Sequence, residues 1–342
     1  MNLEKNNPVK ILIILASGIG NSILFSPALM ILKKEFPKSR IDLFTQNPLF
    51  IEPFKGSNLI NKIFCYQGIG TIFALRNQNY DISITAFPSN KWQFNLFAYV
   101  IGAKYRVTHS YKFGKFSTMS FLQNKKIPAD ENLHDIEQNL SLLSALNIKA
   151  SKKNVNFLFF ISKKHKKFAD IWLGKKGIKK NDFLLGIHPG AGGTGSVQLR
   201  KRMPLDNWLP IIEEEIGNKN AKIIIFGGHD EIDIKEKMQK ILSKKFNNVL
   251  IFESDLKKTT ALISKCNLFL SNDSGLMHIA EAVNCPKIIA AFGPTRQTRT
   301  RPYGKQHKTI TFEHNCPKLE YPFYSTSGRI PEENLGGLEK CR

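Results

Sequence analysis

Residues 9–21, VKILIILASGIGN, join an unbroken apolar run to a turn that contains two glycines. Because both faces of this run are apolar, it predicts a strand buried inside a parallel sheet. The turn leads into a segment with helical spacing at residues 23–35, which Pro37 ends. The chain therefore begins with a strand, a turn and a helix, which is how a βαβ unit starts.

The same alternation of strand and helix continues along the chain. Further apolar runs of strand length lie at residues 41–45, 62–66, 80–86, 104–108, 183–188, 222–226, 248–252, 267–270 and 287–292. Segments long enough for helices separate them, and the two series of strands predict a domain boundary near residue 165. We therefore expect an α/β protein with two Rossmann-like βαβ domains, residues 1–165 and 166–342, that face each other across a ligand cleft.

The composition is that of a folded protein with two cores. The chain has 342 residues, of which 42% are hydrophobic and 23% charged. Its five cysteines form no CxxC pair and its histidines show no metal-ligand spacing, so we expect a reduced, cytoplasmic protein without a metal site. Since no apolar run approaches the roughly 20 residues of a membrane span, only peripheral contact with the inner membrane is expected.

The chain carries an excess of positive charge. It has 50 Lys and Arg against 28 Asp and Glu, a formal net charge of +22. Such a surface attracts polyanions or anionic membrane, and nucleic acid is not expected because no nucleic-acid-binding motif accompanies the basic residues. A genome rich in A and T, which favours Lys codons, is the alternative explanation.

Residues 110–130 interrupt the alternation and predict a long basic loop. Its marked residues are Tyr111, Lys112, Lys115, Lys125 and Lys126. The hypothesis for this loop is attraction to a phosphorylated, membrane-borne molecule at the cytoplasmic face of the membrane.

The first turn resembles a dinucleotide-binding fingerprint only in part. Gly18 and Gly20 match its first two glycines, but Ile23 replaces the third and no acidic residue closes the second strand, which disfavours NAD. The glycines still allow a ligand to approach backbone at a helix N-terminus, although they would also suit a plain strand-to-helix turn. Asn21 stands at the helix entrance, where an N-cap is the alternative to a functional role.

Two motifs of the second domain predict a phosphate site. The segment HPGAGGTG, which contains His188, Gly190 and Thr194, follows a strand, and Lys201 lies in the KRMP segment after it. Glycines, a hydroxyl and a cation form a cradle for phosphate, although an exposed flexible loop has the same composition.

The segment SNDSGLMHIA, residues 271–280, predicts an anion site at the start of a helix. Asp273 or Ser274 would cap a helix that begins beside Gly275, so that free N–H groups face a diphosphate. The alternatives are that Asp273 is only an N-cap and that His278 is a hydrogen-bonded core histidine. The segment FGPT, residues 292–295, is expected at the same sheet edge.

Four segments in the same order resemble glycosyltransferase family 9, the heptosyltransferases of lipopolysaccharide assembly. They are GIGNSILFSPALMILKKEFP, HPGAGG, KRMP and SNDSGLMHIAEAVNCPKIIAAFGPT, and the match spans residues 9–305. The resemblance implies a GT-B fold, an acceptor-binding first domain and a nucleotide-binding second domain. It also implies metal-independent, inverting transfer of a sugar, expected to be heptose from ADP-heptose, to a lipopolysaccharide core or related glycan.

The resemblance also implies roles for individual residues. Lys201 becomes the cation for the donor phosphate, and Asp273, Ser274 and Gly275 become the turn against sugar and diphosphate, with His278 just behind them. The acidic group that commonly holds the nucleotide ribose in the family falls near Asp230 or Glu231.

Three positions depart from the family pattern. Asn21 stands where heptosyltransferases commonly carry an aspartate that takes the proton from the acceptor hydroxyl, and a neutral amide has no basic site for that proton. Met203 replaces an aromatic residue, which alters packing. The family usually ends in a helix that returns to the first domain, whereas this chain ends at Cys341-Arg342.

These departures leave two other activities open. One is a GT-B shaped protein that binds the donor without turnover, and the other is a sugar-nucleotide epimerase. Transfer or hydrolysis of labelled donor separates a transferase from a binding protein, and an epimerised product identifies the third class.

Overall fold

The structure is a computed structural model that describes residues 8–112, 116–153, 155–193, 195–217 and 219–312. The chain forms two compact units that divide between Phe160 and Ile161. In the described part of the chain, no helix is long and apolar enough to cross a membrane.

The first unit is built on a six-stranded parallel sheet with the order β3-β2-β1-β4-β5-β6. The strands are β1 (Lys10–Leu15), β2 (Arg40–Thr45), β3 (Lys62–Cys65), β4 (Ile82–Thr85), β5 (Tyr105–Ser110) and β6 (Lys125–Pro128). The helices are α1 (Ile19–Glu35), α2 (Ile69–Arg76), α3 (Trp92–Ile101) and α4 (Asp135–Ser141), with 3₁₀ turns at Pro48–Ile51, Ser120–Leu122 and Leu142–Leu146.

The apolar run of β1 lies at the centre of this sheet, between β2 and β4. Its residues from Ile11 to Leu15 are buried, as expected for a strand covered on both faces. The chain runs outward from β1 to β3 on one side and returns to β4 on the other. The sheet therefore reverses its strand order between β1 and β4, where open α/β sheets bind ligands.

The first helix begins earlier than the sequence predicts. Its N-cap is Gly18 and its first residue is Ile19, so the predicted start at residue 23 is wrong by four residues. Both Gly20 and Asn21 are therefore helical. The internal Pro27 is tolerated because the Ser26 hydroxyl donates a 2.7 Å hydrogen bond to the Ile23 carbonyl, the group that Pro27 cannot bond.

The predicted long loop at residues 110–130 contains a strand, so that prediction is wrong in part. Residues Lys125–Pro128 form β6, which pairs in parallel with β5 at the edge of the sheet. Lys and Pro are tolerated there because one side of an edge strand needs no ladder partner. Tyr111 is buried, and its hydroxyl accepts a 2.8 Å hydrogen bond from the Ser89 N–H. Lys115 lies outside the described residues.

The second unit repeats the architecture with the strand order β12-β11-β10-β7-β8-β9. The strands are β7 (Phe183–His188), β8 (Ala221–Phe226), β9 (Val249–Phe252), β10 (Leu268–Asn272), β11 (Lys287–Phe292) and β12 (Lys308–Thr311). The helices are α5 (Lys163–Lys175), α6 (Ser196–Arg200), α7 (Trp208–Ile216), α8 (Ile232–Leu242), α9 (Leu256–Ile263), α10 (Gly275–Ala282) and α11 (Gln297–Thr300).

One face of this second sheet buries a cluster that includes Trp208, Ile212 and Leu270. Met203, the residue in place of the family's aromatic, belongs to the same cluster and is buried. This sheet reverses its strand order between β7 and β10. The segment in which the family usually has its last helix falls at residues outside the described part of the chain.

Candidate active site

The carboxyl ends of β7 and β10 lie side by side at the reversal point of the second sheet. The segment at residues 188–193 follows β7, and the segment at residues 271–275 covers the end of β10 and the start of α10. The segment at residues 227–231 follows β8, the next strand along. Since parallel strands end at one edge, three separate stretches of sequence meet where an α/β sheet binds its ligand.

Glu231 organises the glycine-rich segment after β7. Its Oε1 atom accepts hydrogen bonds from the N–H groups of Ala191 at 2.9 Å and Gly192 at 3.0 Å. Its Oε2 atom lies 2.9 Å from Nε2 of His188. Arg202 adds a bond from Nη2 to Oε1 at 3.3 Å. Both oxygens of this buried carboxylate are thus bonded to protein.

This arrangement explains why residue 190 is glycine. A Cβ atom at Gly190 would collide with the Glu231 carboxylate. Gly192 and Gly193 have φ angles of +80° and +130°, which glycine adopts without strain. Thr194, the hydroxyl predicted for this cradle, lies outside the described residues.

The surroundings of Glu231 keep it ionised. Burial alone would raise its pKa, but the hydrogen bond and charge of His188, with the N–H groups of Gly192 and Gly228, hold the pKa far below its ordinary value. Glu231 therefore acts as a fixed anion inside the loop. Of the two acidic residues predicted near the ribose, the exposed one is Asp230, and its role remains a prediction.

Asn272, to which the sequence analysis assigned no role, joins three motifs. Its Nδ2 atom donates to the carbonyls of Pro189 at 2.8 Å and Gly190 at 2.9 Å. Its Oδ1 atom accepts a 2.9 Å hydrogen bond from the Met203 N–H. One buried amide therefore links the ends of β7 and β10 to the KRMP segment. The sequence did contain a signal for this role, because Asn272 is an amide residue at the end of a strand beside the reversal point.

Ser274 is the N-cap of α10, and its hydroxyl contacts three polar groups. The Oγ atom accepts from the Met277 N–H at 3.4 Å and lies 3.0 Å from Nδ1 of His188 and from Oγ of Ser271. A carboxylate only accepts, so Nε2 of His188 carries the proton toward Glu231.

Asp273 does not cap the helix, so the N-cap alternative for it is wrong. Its Oδ2 atom accepts a 2.8 Å hydrogen bond from Nζ of Lys201, and its Oδ1 atom accepts one from the Thr300 hydroxyl at 3.4 Å. Burial would raise the pKa of Asp273, but the Lys201 charge and hydrogen bond hold it below the ordinary value. The charge of His278, a buried residue on α10, acts in the same direction.

The Lys201–Asp273 pair lies beside the first turn of α10, whose free N–H groups form the positive end of the helix. The Lys201 side chain keeps 22% of its surface exposed. One of the three donors of its ammonium bonds to the Asp273 carboxylate. Lys201, the predicted cation for the donor phosphate, therefore lies at the predicted helix end and is paired with the Asp273 carboxylate.

The first unit places Gly18, Gly20 and Asn21 at its own reversal point, directly after β1. Gly18 is the N-cap of α1, so the N-cap alternative for Asn21 is wrong. The Nδ2 atom of Asn21 donates a 2.9 Å hydrogen bond to the Ser17 hydroxyl. A Cβ atom at Gly18 would meet no atom within 4 Å apart from Gly18 itself and its two chain neighbours, so the space beside this backbone is open to a ligand.

No group of three or more His, Cys, Asp or Glu residues that could hold a metal ion occurs among the described residues.

Comparison with known proteins identifies the family. The model of "Glycosyltransferase family 9 (heptosyltransferase)" matches residues 71–322. The chain belongs to glycosyltransferase family 9. As a family 9 protein it is a glycosyltransferase, and the matched residues include every second-unit motif described above but not the Gly18–Asn21 turn.

Individual family 9 relatives match most of the chain. Lipooligosaccharide heptosyltransferase 2 of Haemophilus ducreyi is 29% identical over 322 residues, 87% of this chain and 87% of its own length. Lipooligosaccharide heptosyltransferase 2 of Campylobacter jejuni serotype O:2 is 28% identical over 310 residues, 88% of this chain and 86% of its own length.

Solved structures of the family share the fold. The family 9 glycosyltransferase of Veillonella parvula superposes with a TM-score of 0.70 at 20% identity, covering 92% of this chain and 88% of the other. The ADP-heptose heptosyltransferase II of Escherichia coli superposes with a TM-score of 0.69 at 19% identity, covering 97% and 98%. The fold is therefore the GT-B fold that the sequence predicted.

Proposed function

We propose that this protein transfers a heptose from ADP-heptose to the core of a lipopolysaccharide or a related glycan, with inversion at the anomeric carbon. The observation that carries the proposal is the Lys201–Asp273 pair beside the first turn of α10, at the reversal point of the second sheet. The names of the relatives, lipooligosaccharide heptosyltransferase 2, supply the sugar and the acceptor class.

The second unit would hold the donor diphosphate. In an inverting displacement, the acceptor oxygen bonds to the anomeric carbon as the bond from that carbon to the diphosphate breaks, so negative charge grows on the leaving group. The N–H groups at the start of α10 and the Lys201 ammonium are fixed donors for that charge. Glu231 and Asn272 hold the neighbouring loop in place. The proposal needs no metal ion or further cofactor.

The first unit would hold the acceptor, near the open space beside Gly18. The acceptor hydroxyl must lose a proton during transfer, and the Asn21 amide has no site for it near neutral pH. Asn21 can only orient the hydroxyl, so another group must take the proton. If none does, the protein is a donor-binding member of the family, and Asn21 is the observation that favours this second candidate.

The acceptor would be anionic and membrane-borne, and the protein would act at the cytoplasmic face of the inner membrane through peripheral contact. The formal net charge of +22 supports this assignment because anionic headgroups attract a surface rich in Lys and Arg.

A donor screen tests the proposal. Purified protein is titrated with ADP-heptose, with UDP- and GDP-sugars and with the free nucleotides, and the released nucleotide and sugar are identified. We expect ADP-heptose to bind most tightly and to yield ADP only when a glycan acceptor is present. Preference for a UDP- or GDP-sugar would contradict the assigned donor, and an epimerised sugar nucleotide would identify an epimerase.

A further inference from the structure

Exposed apolar side chains are concentrated in the first unit. In the described part of the chain, nine large apolar side chains are exposed, and only Ile171 and Leu199 belong to the second unit. Soluble proteins rarely group such residues without a partner. Their distribution therefore points to a contact surface on the first unit.

Five of these residues lie on the segments that leave the carboxyl ends of β2, β3, β4 and β5. Leu49 follows β2, Ile69 follows β3, Trp92 follows β4 and Phe116 follows β5. Phe121 lies further along the connection from β5 to β6, next to Leu122, whose carbonyl accepts a 3.3 Å hydrogen bond from Arg106 of β5. Because the strands are parallel, their carboxyl ends share one edge of the sheet. We call this set of five residues the apolar rim.

The most exposed members of the apolar rim are Phe116 at 79% and Ile69 at 61%. The rings of Phe116 and Phe121 contact each other, with centroids 5.8 Å apart. Two aromatic rings that pack on each other while facing solvent form a patch larger than a single exposed residue. A partner that covers such a patch gains free energy, because apolar surface is removed from water.

The charge beside the apolar rim is positive. Lys91 precedes Trp92 and is exposed, and Lys112 lies exposed on the connection that carries the Phe pair. The connections at residues 66–68, 86–91 and 111–124 contain no Asp or Glu, and Glu52, the one acidic residue in the connection at residues 46–61, is paired with Lys55. Aromatic side chains mixed with Lys are typical of surfaces that lie in a membrane interface, where rings enter the headgroup region and ammonium groups meet anionic lipid.

We propose that the apolar rim, with Lys91 and Lys112, docks the first unit on an anionic lipid bilayer. A second copy of the chain fits less well, because a twofold interface would bring the same lysines of both copies together without acidic partners. This inference adds to the proposed function the surface that would contact the membrane. It rests on the proposed function only in the choice of an anionic lipid.

Vesicles without glycolipid test the inference separately from sugar transfer, because neither donor nor acceptor is present. Cosedimentation is measured with phosphatidylcholine vesicles and with vesicles that also contain phosphatidylglycerol. We expect binding to the anionic vesicles that weakens with salt. Phe116→Ser should lower the partition coefficient by about tenfold, and the matched control Ile171→Ser should leave it unchanged.

A second readout keeps the inference testable if Phe116→Ser folds poorly. Trp92 belongs to the apolar rim, whereas Trp172 and Trp208 lie in the second unit. Lipids with brominated acyl chains should quench the fluorescence of the wild-type protein, and Trp92→Phe should remove the quenched part. Equal binding to neutral and anionic vesicles, equal losses in Phe116→Ser and Ile171→Ser, or a stable dimer dispersed by Phe116→Ser would overturn the proposal.

Discussion

Lys201 and Asp273 form one unit, so a substitution at either residue changes the other. Lys201→Ala should lower turnover by about 10²-fold or more because a fixed cation for the leaving diphosphate is lost. It should also lower the melting temperature, since the buried Asp273 carboxylate loses its partner. Steady-state kinetics and thermal unfolding measure the two effects.

The double variant Lys201→Ala/Asp273→Asn separates the effect of the Lys201 charge on turnover from its effect on stability. Removing both charges should restore most of the melting temperature and leave turnover low. Wild-type turnover in this variant, with ADP-heptose as donor, would show that Lys201 does not stabilise the leaving group.

Asn21→Asp places a carboxylate where the family commonly has its base. Asn21 lies in the first turn of α1, which contains no acidic residue, so the helix dipole should favour the new charge by about 0.3–1 kcal/mol. We expect an intact fold, a faster transfer rate and an unchanged dissociation constant for the donor, since a general base contributes about 10²- to 10⁴-fold. Asn21→Ala is the control. A slower transfer rate in a folded Asn21→Asp protein would show that the amide itself is used.

Glu231→Gln tests the buried anion under the glycine-rich segment. The folded-state pKa of Glu231 is depressed, so its contribution to stability is complete above the ordinary value of 4.5 and is lost as the pH falls. At pH 7 the variant should be less stable by on the order of 2 kcal/mol, the worth of hydrogen bonds to a charged group. The deficit should shrink as the pH is lowered below about 4.5. Denaturant unfolding from pH 7 to pH 3 measures it, and a constant deficit would contradict an ionised Glu231.

At the scale of elements, apolar runs predict strands, including the edge strands β3 and β9, whereas the edge strands β6 and β12 are not predictable. The strands β7 and β11 have the predicted bounds because they are apolar runs buried between neighbours. The edge strands β6 and β12, KKIP and KTIT, lack such runs, since an edge strand is partly solvated. Their pairing depends on the neighbouring strand, which local sequence does not encode.

The helix α10 carries a second buried carboxylate, which ties it to the segment after α11. Glu281 accepts hydrogen bonds from the N–H groups of Tyr303 and Gly304. Burial raises the pKa of Glu281 to about 7, and these two hydrogen bonds oppose the shift only in part. The favourable contribution of the protonated group is complete below 4.5 and is lost as the pH rises through about 7.

Glu281→Gln should therefore remove the free-energy cost of ionising a buried carboxyl group at high pH. The variant should gain on the order of 3 kcal/mol of stability over wild type at pH 8, because a shift of one pKa unit corresponds to about 1.4 kcal/mol. The two proteins should differ little near pH 4.5. Melting temperatures across this range measure the effect, and a variant that is less stable at pH 8 would mean that Glu281 is ionised without cost.

At the scale of the whole molecule, the sequence predicted which segments meet but not how they bond. Parallel topology brings His188 and Ser274, 86 residues apart, to one sheet edge, and that follows from alternating strands and helices. The bonds themselves depend on side-chain reach in three dimensions. The sequence placed the ribose-binding acid near Asp230 or Glu231 without indicating that Glu231 is buried, and it indicated no role for Asn272 although this residue joins three motifs.

The central claim is that the whole protein moves a heptose from ADP-heptose to a lipopolysaccharide core. The most direct measurement incubates purified wild-type protein with labelled ADP-heptose and inner-core lipopolysaccharide and determines the product by mass spectrometry and NMR. We predict an acceptor enlarged by one heptose of inverted anomeric configuration, with one ADP released for each transfer. Binding of ADP-heptose without a heptosylated product, in both wild type and Asn21→Asp, would contradict the account.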